Sequence, residues 1–175
     1  MDLILSIWRL VQFRAGPDEV PSSLGFVVFL IGITLVINIA QLTATLDVEH
    51  AAEQTGVILI VTLGFVYILL KFRHLTHRYV QTITAILGAS LMINLVLTPL
   101  VILAPYLFDQ TNTETVRIIS TFIYLICLFF INLWLVLVMG FIFQRVLNST
   151  LYIGVVATMA LFACNMLVLS QFFPL

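Results

Sequence analysis

The sequence predicts an all-α fold: a polytopic membrane helical bundle of five transmembrane helices, preceded by an amphipathic helix in the membrane interface. Three observations predict it. Five apolar runs fill most of the 175 residues. Hydrophobic residues make up 62% of the chain and charged residues 9%, with a mean hydropathy of +1.21; a soluble domain carries about 25% charged residues. Six of the seven Lys and Arg residues also fall on one side of the apolar runs.

Residues 1–14 form the interfacial helix. Asp2, Ser6, Arg9 and Gln12 share one arc at helical spacing, and Leu3, Ile4, Ile7, Trp8, Leu10 and Val11 cover the rest. Arg9 and Gln12 interrupt the apolar stretch and no small-residue cleavage site follows, so this is not a secretory signal. Trp8 and the arginines are expected at headgroup depth. Ala15-Gly16-Pro17 should end the helix, with Gly16 suited to a left-handed cap. Residues 15–23 are a linker, in which Pro21 and Ser22-Ser23 precede the first span.

A membrane span needs about 20 mostly apolar residues. The spans fall at about 24–46, 54–72, 79–104, 117–141 and 150–172. They leave no room for a domain outside the membrane. The first connection holds Asp47, Glu49, His50 and Glu53; the second holds Lys71, Arg73, His74, His77 and Arg78. The third holds Asp109 and Glu114, with Arg117 opening the next span, and the fourth holds Arg145. Short cytoplasmic connections retain Lys and Arg, which predicts a cytoplasmic N-terminus and a C-terminus outside. The membrane expected is a bacterial inner membrane. Tyr79, Tyr106 and Tyr152 sit at span ends, where amphipathic rings favour the interface. Arg9, Arg14, Lys71, Arg73 and Arg78 are the candidate contacts to lipid headgroups. The third span is irregular: no charge occurs from Tyr79 to Phe108, and Pro99 removes a helical hydrogen bond near its outer end. Pro99 is therefore the candidate hinge.

No Asp, Glu, Lys, Arg or His lies in the middle of a span. Proton relays, ion-coupled transport and voltage sensing use such groups, and a haem held between spans needs histidine at membrane depth. His50, His74 and His77 all lie in connections, and the His74–His77 pair lacks a third ligand for a metal site. Ser90, Ser120 and Ser170 have no His or Asp at matching depth to activate them. The expectation is a non-enzymatic chain that carries no cofactor. Cys127 and Cys164 lie within spans and read as packing residues. No contiguous basic surface exists to hold a nucleic-acid backbone.

The spans contain asparagine instead. Asn38, Asn94, Asn132 and Asn165 stand in four of the five. Spans one, three and five run in the same direction, so Asn38, Asn94 and Asn165 fall at nearly equal depth in the outer half. Asn132 is expected in the inner half. With Gln41 and Thr98 one turn further out, Asn38, Asn94 and Asn165 make the candidate intramembrane polar cluster. Its members are either interhelical hydrogen bonds or a ligand site. Small residues recur at packing spacing: Ala85, Gly88 and Ala89 on span three, and Gly154, Ala157, Ala160 and Ala163 on span five.

The opening RLVQFRAGPDEVPSS, an amphipathic helix ending in FRAGP-D-x-x-P, resembles a group of small uncharacterised proteobacterial inner-membrane proteins. The layout of a cytoplasmic N-terminal segment and five spans resembles the Yip-type superfamily. The resemblance implies a non-enzymatic organising role and assigns no site residues. The leading expectation is an integral membrane accessory, scaffold or assembly protein, with membrane lipids and a protein partner or a homo-oligomer as its contacts. The alternative is an oligomeric facilitator or binding protein for a lipid or small solute.

Overall fold

The computed structural model describes residues 2–19, 23–43, 46–107 and 114–173. Pro21, Ser22 and Asp109 lie outside these, as do the side chains of Asp2, Leu3, Ile4, Asp18, Pro105, Tyr106 and Leu107. The described residues are mostly helical, with six α-helices: α1 (Asp2–Val11), α2 (Leu24–Leu42), α3 (Val48–Phe72), α4 (Tyr79–Leu107), α5 (Glu114–Val146) and α6 (Leu151–Phe172). Two short 3₁₀ turns, Pro17–Glu19 and Thr76–Arg78, precede α2 and α4. Helices α2 to α6 are each long and apolar enough to cross a membrane.

The helix ends have local causes. Ser23 caps α2, its side chain accepting from the Phe26 N–H at 3.2 Å. Helix α3 begins six residues before the apolar run does. Glu49 in its first turn complements the helix dipole and Ala51-Ala52 favour helix, so the polar stretch is helical too. Helix α5 likewise continues past residue 141 through Gln144 and Arg145, a cation well placed in a last turn.

Three helices end on a residue with positive φ, and none of the three is glycine. Phe13 (φ 62°), His74 (φ 56°) and Asn148 (φ 47°) each close a C-terminal turn. The next N–H reaches back five residues in every case: Arg14 to Arg9, Leu75 to Leu70 and Ser149 to Gln144, at 2.8–3.0 Å. The expected left-handed cap at Gly16 is therefore corrected to Phe13. Gly16 keeps a negative φ, and its N–H donates to Glu19 Oε1 at 3.4 Å. The edge contact of Phe13 with Phe141, at 5.5 Å between ring centroids, favours the strained position.

The five long helices form a ring in the order α2, α3, α6, α5, α4 and back to α2. The end of the ring that holds residues 72–79 and 146–150 carries Lys71, Arg73, Arg78 and Arg145, and is called the basic end below. The apolar core fills this half, around Val66, Leu70, Ile83, Ile142 and Phe143. Across the ring here, the Tyr79 hydroxyl donates to the Leu63 carbonyl at 3.2 Å. Helices α5 and α6 approach most closely at two glycines: a Cβ at Gly154 would overlap the Gly140 carbonyl oxygen. The packing stripe on α6 is Gly154, Ala157, Thr158 and Leu161, all buried, whereas Ala160 and Ala163 face outward. Helix α4 runs unbroken through Pro99.

Helix α1 lies against the outside of the ring, on α4. Its Ile7, Leu10 and Val11 are buried. Gly88 makes room for Ile7: a Cβ there would stand 2.8 Å from Ile7 Cδ1. The Trp134 indole N–H of α5 donates to the Val11 carbonyl at 3.2 Å, a group that a helix end leaves without an intrahelical partner. The apolar arc of α1 therefore covers protein, while Trp8 and Arg9 stay on the exposed arc.

Candidate functional site in the central cavity

The asparagines share one level of the ring. Asn38, Asn132 and Asn165 each stand fourteen residues from the basic end of their helix, and Asn94 stands fifteen from it. At 1.5 Å per residue that is about 21 Å in each case. The expected placement of Asn132 in the other half is corrected here. Because α5 extends to Val146, the count from its basic end lengthens, and Asn132 joins the other three.

Four of the five expected cluster residues form one hydrogen-bonded network between the parallel neighbours α2 and α4. Asn94 Nδ2 donates to Asn38 Oδ1 at 2.9 Å. Gln41 Nε2 donates to Thr98 Oγ1 at 2.7 Å and to the Asn94 carbonyl at 3.0 Å. The Thr98 hydroxyl donates to the same carbonyl at 2.8 Å. These bonds occupy the turn just before Pro99, where α4 lacks one backbone donor. A neighbouring helix and a threonine hydroxyl supply polar contacts there, as is common at a proline inside a spanning helix.

Beside the network lies a partly open cavity of about 400 Å³, lined by residues of all five ring helices. Helix α2 contributes Thr34 and Asn38, α3 contributes Thr55 and Thr62, and α4 contributes Ser90 and Asn94. Helix α5 contributes Asn132, and α6 contributes Asn165. Leucine, isoleucine and methionine side chains, among them Leu59, Ile86, Met139 and Leu161, make up most of the remaining wall. Among the described residues, no charged side chain lines it.

The polar wall offers oxygen. Asn165 Nδ2 donates to the Leu161 carbonyl at 3.2 Å, and Asn132 Nδ2 to the Leu128 carbonyl at 2.8 Å. A carbonyl must face the nitrogen of a carboxamide, so these bonds fix which way each side chain is turned. Asn165 Oδ1 is then buried without a hydrogen-bond partner, and so is the hydroxyl of Thr34, a residue only 7% exposed. Leaving such a group unsatisfied costs about 1–3 kcal/mol. A hydrogen-bond donor held in the cavity would offset part of that. A bare ion would meet no opposite charge there, and burying it unpaired is strongly unfavourable.

Sequence reasoning thus identified Asn38, Gln41, Asn94, Thr98 and Asn165, and the structure bonds the first four together. Asn165 lines the cavity with Asn38 and Asn94 but bonds only its own helix. Thr34, Thr55, Thr62, Ser90 and Asn132 were missed. Their signal was a polar residue within about one turn of the asparagine level on each helix.

The candidate headgroup residues lie apart from the cavity. Arg9, Arg14, Lys71 and Arg73 are exposed, and Arg78 is half-buried. Lys71 stands 5.9 Å from the Tyr67 ring, a cation over an aromatic face. No protein-family model, curated protein or solved structure matches this chain.

Proposed function

We propose that this chain is an integral-membrane binding protein for a small neutral amphiphile, held in the central cavity without covalent chemistry. The observation that carries the reading is the pair of orphan oxygens, Thr34 Oγ1 and Asn165 Oδ1, in the wall of an uncharged cavity built from five helices. A ligand that satisfies them needs a hydroxyl or an amide N–H. Its remaining surface must suit aliphatic walls, and it must be uncharged. These requirements support a binding protein or facilitator for a lipid or small solute. The basic end is proposed to face the cytoplasm, which puts the C-terminus outside a bacterial inner membrane.

A second reading, an accessory or assembly subunit, is favoured by α5. Ile118, Phe122 and Phe129, in the half of α5 away from the basic end, are all exposed. That apolar surface suits either lipid or another membrane protein.

The test uses the purified chain in a mild detergent and three probes of equal chain length: a monoacylglycerol, a fatty acid and an alkyltrimethylammonium. The expected result is one monoacylglycerol retained per chain by native mass spectrometry, with retention lost in Asn165→Leu. Equal retention of all three probes would sink the reading and favour the accessory role.

A further inference from the structure

We propose that the basic end of the ring carries a cleft for a phosphate-bearing anion, formed by Arg78 and Arg145. It is separate from the central cavity and does not depend on the reading of that cavity. The cleft has a volume of about 240 Å³ and is lined by Pro17, Arg78, Gln81, Arg145, Val146 and Asn148. Its two guanidiniums come from different elements, the turn before α4 and the last turn of α5.

Both cations are held by contacts that, among the described side chains, leave their charge unpaired. Arg78 Nη1 donates to the Val146 carbonyl at 3.5 Å. The Arg145 guanidinium stacks over the Phe141 ring at 5.3 Å. Phe141 is itself braced by Phe13. Neither arginine has a carboxylate partner among the described residues. Two like charges sharing a small cleft repel one another, and an anion between them removes that repulsion.

The donor set fits phosphate. A guanidinium presents planar, paired N–H groups that match two phosphate oxygens at once. The carboxamides of Gln81 and Asn148 line the same space and add neutral donors. The cleft lies where α4 begins and α5 ends, the level at which spanning helices meet lipid phosphates. The shared chemistry is a phosphate group, either on a lipid headgroup or free. Pro17, from the segment that follows α1, forms one wall. The cleft is therefore complete only while that segment lies against the ring.

The experiment uses the full chain in a mild neutral detergent. Native mass spectrometry measures retained phosphatidylglycerol against phosphatidylcholine, and thermal melting measures the effect of inorganic phosphate. We expect one phosphatidylglycerol per chain, with retention reduced about tenfold in Arg78→Gln and in Arg145→Gln. Arg117→Gln, on an exposed residue in the first turn of α5 at the opposite end of the ring, should leave retention unchanged. Stabilisation by inorganic phosphate without lipid retention, lost in the same two variants, would assign free phosphate as the source. If either glutamine variant fails to fold, the pair Arg78→Lys with Arg145→Lys carries the test. It keeps both charges and loses the paired geometry, so binding should fall severalfold and persist. Retention unchanged in the cleft variants, or equally reduced in Arg117→Gln, overturns the proposal.

Discussion

Asn94 donates its side-chain amide to Asn38 Oδ1 at 2.9 Å, and this bond joins two helices that run in the same direction. Parallel neighbours cannot be held together by a short hairpin, so side chains must set their register. Gln41 adds a second tie one turn further on, through Thr98 and the Asn94 carbonyl. Exchanging Asn38 or Asn94 for Leu should destabilise the bundle by about 0.6 kcal/mol, and by no more than roughly 1.7 kcal/mol. The double exchange should cost less than the sum of the two, because a single bond is lost. Reversible unfolding in detergent or bicelles measures both; strict additivity would show that the residues do not act as a pair.

The opposite sign is expected at the orphan oxygens. Thr34→Val keeps shape and removes a buried hydroxyl that has no partner. Without ligand, that variant should be more stable than the parent by on the order of 1 kcal/mol. Adding the monoacylglycerol should then stabilise the parent more than the variant. A destabilised Thr34→Val, with ligand absent, would mean that the hydroxyl already has a partner in the membrane.

How much of this arrangement could be read beforehand differs from one feature to another. The five spans were legible because each is an apolar run of bilayer length. Their ends were less so: α3 and α5 continue through Glu49, Gln144 and Arg145, since helix dipoles and propensity act on polar residues as well. The Asn38–Asn94 relation was legible because equal depth on parallel helices follows from counting. Asn132 escaped the same count, as its helix runs the other way and its end was placed five residues short. The seat of α1 was not legible at all. It depends on Gly88 and Trp134, far from α1 in sequence, leaving a groove and a donor where α1 can meet them.

The two-glycine crossing should be the least tolerant point of the bundle. Gly154→Ala puts a methyl against the Gly140 carbonyl, a backbone atom that can move only if α5 and α6 separate. The loss should be about 1–3 kcal/mol. Gly32→Ala is the control, since nothing lies within 4 Å of a Cβ there. It should be neutral or slightly stabilising, because alanine favours helix by up to about 1 kcal/mol over glycine. Equal melting temperatures for the two variants would contradict the close approach.

The seat of α1 can be tested without touching α1. Gly88→Leu fills the space that Ile7 occupies, and Trp134→Phe removes the donor to the Val11 carbonyl. Both changes lie on the ring, and neither residue is charged, so insertion of the spans should be unaffected. Hydrogen exchange over residues 2–11 reads the outcome. In the parent, exchange should be slow, because opening must expose Ile7, Leu10 and Val11 together. Gly88→Leu should raise the exchange rate strongly, since the overlap is with a core side chain. Trp134→Phe should raise it about five- to tenfold, the equivalent of one hydrogen bond of roughly 1 kcal/mol or slightly more. If α1 instead exchanges fast in the parent and neither variant changes it, the helix spends its time away from the ring, and the apolar arc is then free to meet lipid or a partner.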